Sequence, residues 1–193
     1  MSLEIALFDL INKTLTHPWL TEFFVFFTNV HKTLFFKIGF SILLVFWVYK
    51  CKWNVGKVLL SIGLVVGSAD AFSYRVLKEF IERPRPHHIE SIQSEMRLEY
   101  GPKSASFPSN HATNTTALAM TVAFFYPFLM WPAVITTVLI AYSRVYVGVH
   151  FVSDVLAGIL LGSLLGFLWI KFVFNRFEFF KKARLSKKNT EPK

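Results

Sequence analysis

The stretch Ala112–Ser143, ATNTTALAMTVAFFYPFLMWPAVITTVLIAYS, contains no Asp, Glu, Lys or Arg. One bilayer crossing takes roughly 20 apolar residues, so this run is too long for a single crossing. Pro127 and Pro132 fall within it, and a tight helical hairpin through the membrane is the natural reading. Composition agrees: of 193 residues, 53% are hydrophobic, 17% are charged and 22 are Phe, with a mean hydropathy of +0.45. The rival reading, the buried core of a soluble protein, is disfavoured because charged residues ordinarily make up about a quarter of such chains.

Working outward, apolar patterning predicts an all-α integral-membrane bundle of about five crossings, near 33–50, 54–80, 110–126, 128–146 and 151–173, the last running on toward 182. Lys37 and Lys50 lie near the ends of the first and can snorkel. Residues 3–15 look amphipathic, with Asp9, Asn12, Lys13 and Thr16 on one face, as in a helix lying in the interface. Residues 19–30 are apolar but too short to span and read as re-entrant or interfacial. The expected organisation is therefore interfacial helices over 1–32, a bundle over 33–182 with a polar loop at 82–109, and a basic tail over 183–193. No internal repeat is evident. No cleavable signal peptide is expected, since the N-terminal stretch carries Glu4, Asp9 and Lys13. The single cysteine, Cys51, forms no internal disulfide and is silent on redox compartment.

Net charge is +9, and much of the excess follows the last apolar segment at Lys181, Lys182, Arg184, Lys187 and Lys188. A juxtamembrane cluster of this kind answers to membrane topology and anionic headgroups rather than nucleic acid. With Lys50, Lys52 and Lys57 on the same face, the positive-inside rule puts that face in the cytoplasm. The N-terminus and the 82–109 loop then lie outside, on the outer face of the cytoplasmic (inner) membrane.

Polar residues with a chemical signature gather at that outer face. Lys78 is followed after six residues by Arg85-Pro86; Pro108-Ser109-Asn110-His111 opens the third crossing; Ser143-Arg144 is followed after five residues by His150 and then, after three, by Asp154. Asp154 lies one helical turn after His150, and helical side chains lean toward the N-terminus, so its carboxylate can reach the imidazole. A carboxylate on one ring nitrogen fixes the tautomer and frees the lone pair of the other, giving an aimed nucleophile. The bland alternative is an interfacial histidine with a capping Asp nearby. Ser109 and the N–H groups of its turn can hold phosphate oxygens, and Ser109-Asn110 also suits a plain N-cap. Lys78, Arg85 and Arg144 can stabilise the charge on a phosphoryl group in transfer, although cations are favoured at helix C-termini in any case. Arg83-Pro84 duplicates Arg85-Pro86; Arg83 reads as solvated or, second, as an accessory headgroup contact. His87 and His88 find no third ligand at a telling spacing and read as exposed loop. Asp70 and Arg75 are either a packing pair or a functional intramembrane charge.

Together these motifs resemble the type-2 phosphatidic-acid phosphatase family, the membrane branch of a fold shared with vanadium haloperoxidases and bacterial acid phosphatases, over roughly residues 50–173. The resemblance implies that His150 forms a phosphohistidine, oriented by Asp154. It makes His111 the acid for the leaving oxygen and then the base for water. Lys78, Arg85, Ser109, Asn110 and Arg144 are the implied phosphate-binding residues, and no metal or other cofactor is implied. Asn110 stands where many members have glycine. The expected partners are a membrane lipid substrate and the bilayer, with no nucleic acid and no obligate protein partner. The expected activity is hydrolysis of a lipid phosphomonoester or pyrophosphate, leaning to lipid A 1-phosphate. Undecaprenyl pyrophosphate and phosphatidylglycerophosphate are alternative substrates. Lipid phosphotransfer and non-catalytic binding of a lipid phosphate are alternative functions.

Overall fold

In the computed structural model, residues 2–51 and 53–181 are described. The Ser2 hydroxyl accepts the Ile5 N–H at 3.4 Å and caps α1 (Leu3–Asp9), with Glu4 in its first turn, where a carboxylate complements the helix dipole. A π-helical turn, Leu10–Thr14, extends it. Pro18 then opens α2 (Pro18–Asn29), its fixed φ suiting a first helical position. α3 (Leu34–Cys51) and α4 (Trp53–Ala71) follow. A π-helical segment, Phe72–Leu77, joins α4 to the short α5 (Lys78–Ile81), which ends at Glu82 with φ 45°. The loop beyond leads to α6 (Asn110–Phe125), a turn at Pro127–Leu129 and α7 (Met130–Tyr146). α8 (Val152–Trp169) runs through a π-helical turn, Ile170–Phe174, toward α9 (Glu178–Lys181). No strand occurs among the described residues.

The uncharged run is the hairpin α6–α7. α6 packs most closely on α8, and the sequence of α8 explains why. Gly158, Gly162 and Gly166 recur every four residues on the face toward α6; a Cβ at Gly162 would sit 2.4 Å from the Thr113 carbonyl oxygen, and one at Gly158 would sit 2.7 Å from that of Ser109. Small residues at this period let two helix backbones approach in a membrane. On other faces of α8, Leu156, Leu160 and Leu164 are exposed, Leu160 by 70%. An outward leucine row of this kind is at home in hydrocarbon rather than water.

Three stretches of the described chain are long and apolar enough to cross a membrane: Val55–His88, Pro127–Tyr146 and Val152–Phe174. A fourth arises if Pro18–Asn29 and Leu34–Phe46, bent by 50°, form one span. The expected count of five is not reached on these grounds, since α6 has only 16 residues, about 24 Å of helix against roughly 30 Å of hydrocarbon. α2 packs on the bundle: it buries Phe24 and Thr28, and Phe24 packs on Tyr142 and Tyr146 of α7. The basic tail over 183–193, together with Lys52 and Lys182, lies outside the described residues, as do the side chains of Lys50 and Cys51. Lys57 is buried, its ammonium 5.1 Å from the ring centroid of Phe179.

Candidate active site

The helix start at Val152 is built by one carboxylate. Asp154 Oδ2 accepts the Phe151 N–H at 2.8 Å and the Ser106 hydroxyl, so the residue that caps α8 also stands behind His150. Gly148, with φ 83°, makes the turn out of α7, a backbone geometry that favours glycine. His150 is 2% exposed. Its Nδ1 lies 3.5 Å from both Asp154 Oδ2 and Ser106 Oγ, and its Nε2 lies 3.2 Å from Arg85 Nη1. A guanidinium only donates, so Nε2 must accept and the ring proton sits on Nδ1. Burial pushes the imidazole pKa down to about 3; Arg85 and Arg144 push the same way, and Asp154 opposes them. The ring is thus held neutral, with a lone pair on Nε2.

The loop between α5 and α6 braces the cations. Lys78 donates its ammonium to the Ala105 carbonyl. Arg85 donates Nε to Ser104 O at 2.6 Å, Nη1 to Val149 O at 2.9 Å, and Nη2 to Ala105 O and Ser104 Oγ, both at 3.2 Å. Arg144 donates Nη1 to Thr28 Oγ1 of α2 at 2.6 Å, while its buried Nε has no hydrogen-bond partner. Lys78, Arg85, Asn110, His111, Arg144 and His150 all line one cavity of about 160 Å³. Ser109 does not line this cavity, but its hydroxyl is likewise buried without a partner. Buried donors left open in this way are unusual, and an anion in the cavity would meet several cations and a neutral imidazole. The Asn110 amide is tied back instead: Oδ1 accepts from Ser73 Oγ at 2.9 Å and Nδ2 donates to Asp70 Oδ1 at 3.1 Å.

Residues 54–178 match the sequence profile of the PAP2 superfamily. The chain belongs to the PAP2 superfamily. It is 40% identical over 116 residues to phosphatidylglycerophosphatase B of Bacillus subtilis, covering 54% of this chain and 53% of that protein. It is 32% identical over 162 residues to the lipid A 4'-phosphatase of Porphyromonas gingivalis, covering 78% of this chain and 64% of the relative. The chain thus spans little more than half to under two thirds of the length of these curated relatives. The crystal structure of Aquifex aeolicus LpxE superimposes with a TM-score of 0.67 at 27% identity, over 89% of this chain and 97% of that one. The transmembrane PAP2-type phosphatidylglycerolphosphate phosphatase of Bacillus subtilis gives 0.62 at 30% identity, over 91% and 87%.

Around this PAP2 site stand residues that sequence reasoning passed over. Ser104 and Ser106 were hidden because small polar residues in a loop carry no spacing signal; Thr28 was hidden because its partner, Arg144, is 116 residues away. The reading of Arg83 as solvated is corrected: its side chain is 21% exposed and pairs with Asp154 Oδ1 at 2.7 Å and Glu4 Oε2 at 2.5 Å. Of the two readings of Asp70 and Arg75, the packing pair is not found. Asp70 accepts from Asn110 and from Asn114, the latter at 2.8 Å, while Arg75 is exposed. His87 is half-buried rather than exposed, both ring nitrogens being buried without a hydrogen-bond partner. No cluster of His, Cys, Asp or Glu suited to a metal ion occurs among the described residues.

Proposed function

We propose that this chain is a membrane lipid phosphatase working through a phosphohistidine on His150. The observation that carries the reading is the His150 ring: its Nδ1 faces Asp154 and its Nε2 faces Arg85 in a cavity that also holds Lys78, Arg144 and His111. Membership of the PAP2 superfamily supports it, as do relatives whose names denote phosphatases of phospholipid, lipid A and undecaprenyl diphosphate.

In the first step the Nε2 lone pair attacks phosphorus, an N–P bond forms and the bond from phosphorus to the leaving oxygen breaks. His111 gives that oxygen a proton, and the positive charge developing on the His150 ring is stabilised by Asp154 through Nδ1–H. In the second step His111 takes a proton from water, the water oxygen attacks phosphorus, the N–P bond breaks and inorganic phosphate leaves. Lys78, Arg85 and Arg144 offset the charge on the equatorial oxygens, helped by the open Ser109 hydroxyl, so the residues supply the electrostatics without calling for a metal. Asn110 contributes by fixing the start of α6 through Asp70 and Ser73.

The substrate class is an amphiphile with a terminal phosphate, and lipid A 1-phosphate is the member this reading favours. The bundle crosses the inner membrane five times with the site at the outer face. The test is phosphate release from a panel of lipid A, phosphatidylglycerophosphate, undecaprenyl pyrophosphate and phosphatidic acid. His150→Ala should abolish turnover and labelled phosphoenzyme while the protein stays folded. Phosphate release retained by that variant would remove the mechanism.

A further inference from the structure

Asp154 offers two carboxylate oxygens. Oδ2 serves the helix cap, Ser106 and the His150 ring. Oδ1 is held at 2.7 Å by Arg83 Nη1, which also donates to Ser153 Oγ at 2.7 Å. The other terminal nitrogen, Nη2, pairs with Glu4 Oε2 at 2.5 Å, and Glu4 Oε1 accepts the Ser153 hydroxyl. The guanidinium lies 4.2 Å from the ring centroid of Phe151, and Phe8 packs its own ring against Phe151 at 5.6 Å. Two residues of α1 therefore grip the first turn of α8, one through Arg83 and one through an aromatic contact. A planar guanidinium bridging two carboxylates through its two terminal nitrogens fixes each in angle as well as distance, and a partner behind an orienting carboxylate sets that carboxylate's direction.

We propose that Arg83 and Glu4 are positioning residues for the nucleophile: Glu4 of the N-terminal helix holds Arg83, Arg83 holds Asp154 Oδ1, and the carboxylate so fixed aims His150. This rests on the reading of His150 as the nucleophile. Arg83 shares an outer cavity with Lys78 and Arg85 but, unlike them, does not line the cavity of His150, and it alone among these cations holds Asp154. The N-terminal helix becomes part of the reaction apparatus.

The experiment measures kcat and KM on a short-chain phosphatidic acid in detergent micelles, and inhibition by vanadate, per folded molecule counted from the monodisperse chromatographic peak. Arg83→Gln should lower kcat by about tenfold to a hundredfold, the usual cost of removing a supporting partner, with KM and the vanadate inhibition constant unchanged. Arg83→Lys should recover part of the loss. Glu4→Gln should lower kcat less, and should add nothing on the Arg83→Gln background, because the two act as one unit. A rise in KM with weakened vanadate inhibition would make Arg83 a substrate contact and overturn the proposal. So would an unchanged kcat, which leaves only a structural ion pair. If Arg83→Gln does not fold, Glu4→Gln decides alone, its side chain being 33% exposed: a kcat loss at constant KM supports the relay, and wild-type kcat ends it. A phosphoenzyme in the wild type that His150→Ala abolishes shows that the underlying reading stands whichever way Arg83 behaves.

Discussion

At His150 a donor guanidinium faces Nε2, and a carboxylate and a hydroxyl face Nδ1. The tautomer follows from that asymmetry, and burial keeps the second proton off. With a native pKa of about 3 against about 6.5 for an unfolded histidine, the unfolded chain binds a proton between those values that the native chain does not. Stability from this group is therefore complete above about pH 6.5 and falls as pH drops toward 3. The expected outcome for 15N-histidine NMR in detergent is a His150 ring neutral and protonated at Nδ1 from pH 8 down to about 5, below the ordinary histidine range. A His150 signal moving through a midpoint near 6.5 would overturn the buried-neutral nucleophile. At this scale the sequence was partly legible. Motifs read through the family resemblance singled out Lys78, Arg85, His111, Arg144 and His150, which the fold gathers around one cavity. That reading was silent on Ser106, because a serine that donates to Asp154 looks in one dimension like any loop serine. It misread Arg83, because solvation is the default for a charged loop residue and Glu4 lies 79 residues away.

The element that sets the spacing of the two histidines is the glycine row of α8. Because Gly158 and Gly162 let α6 approach, the Ser109 N–H donates to the Asp154 carbonyl at 3.0 Å, and the start of α6, which carries His111, is fixed to the start of α8. A methyl at Gly162 meets the Thr113 carbonyl at 2.4 Å, and that atom is backbone that cannot rotate away. Gly162→Ala should therefore cost about 1–3 kcal/mol by overpacking and lower kcat, because the two helix starts separate. Gly63→Ala is the control: nothing lies within 4 Å of a Cβ there, and alanine gains helix propensity. Thermal melts and kcat of both variants in one detergent check this, and wild-type behaviour of Gly162→Ala would rule out the close approach. The helical hairpin α6–α7 was legible because a long uncharged run in hydrocarbon must satisfy its backbone internally, which a helix does within its own segment, and Pro127 and Pro132 break that run. The packing of α2 on α7 was not, since an apolar stretch of 12 residues reads as interfacial or re-entrant without indicating what it packs against.

Across the whole molecule, the site lies at the bundle end formed by the starts of α6 and α8 and the close of α7, while Lys57 and α9 meet at the other end. On the proposed reading, a lipid phosphate would reach the first end from the bilayer, past the exposed leucines of α8, which suit apolar solvent. On the proposed orientation, charge asymmetry decides which compartment faces the site, since basic residues flanking the spans are enriched on the cytoplasmic side. Tyr100 on the 82–109 loop and Arg176 near α9 are both exposed and mark the two ends. With Cys51 replaced by serine, Tyr100→Cys should react with a membrane-impermeant maleimide on intact spheroplasts, and Arg176→Cys only after permeabilisation. The reverse pattern would turn the site to the cytoplasm, so that it would meet lipid phosphates of the inner leaflet, and the preference for an outer-face substrate would go with it. Equal labelling before lysis would deny the barrier between the two ends, and with it the membrane-spanning bundle itself.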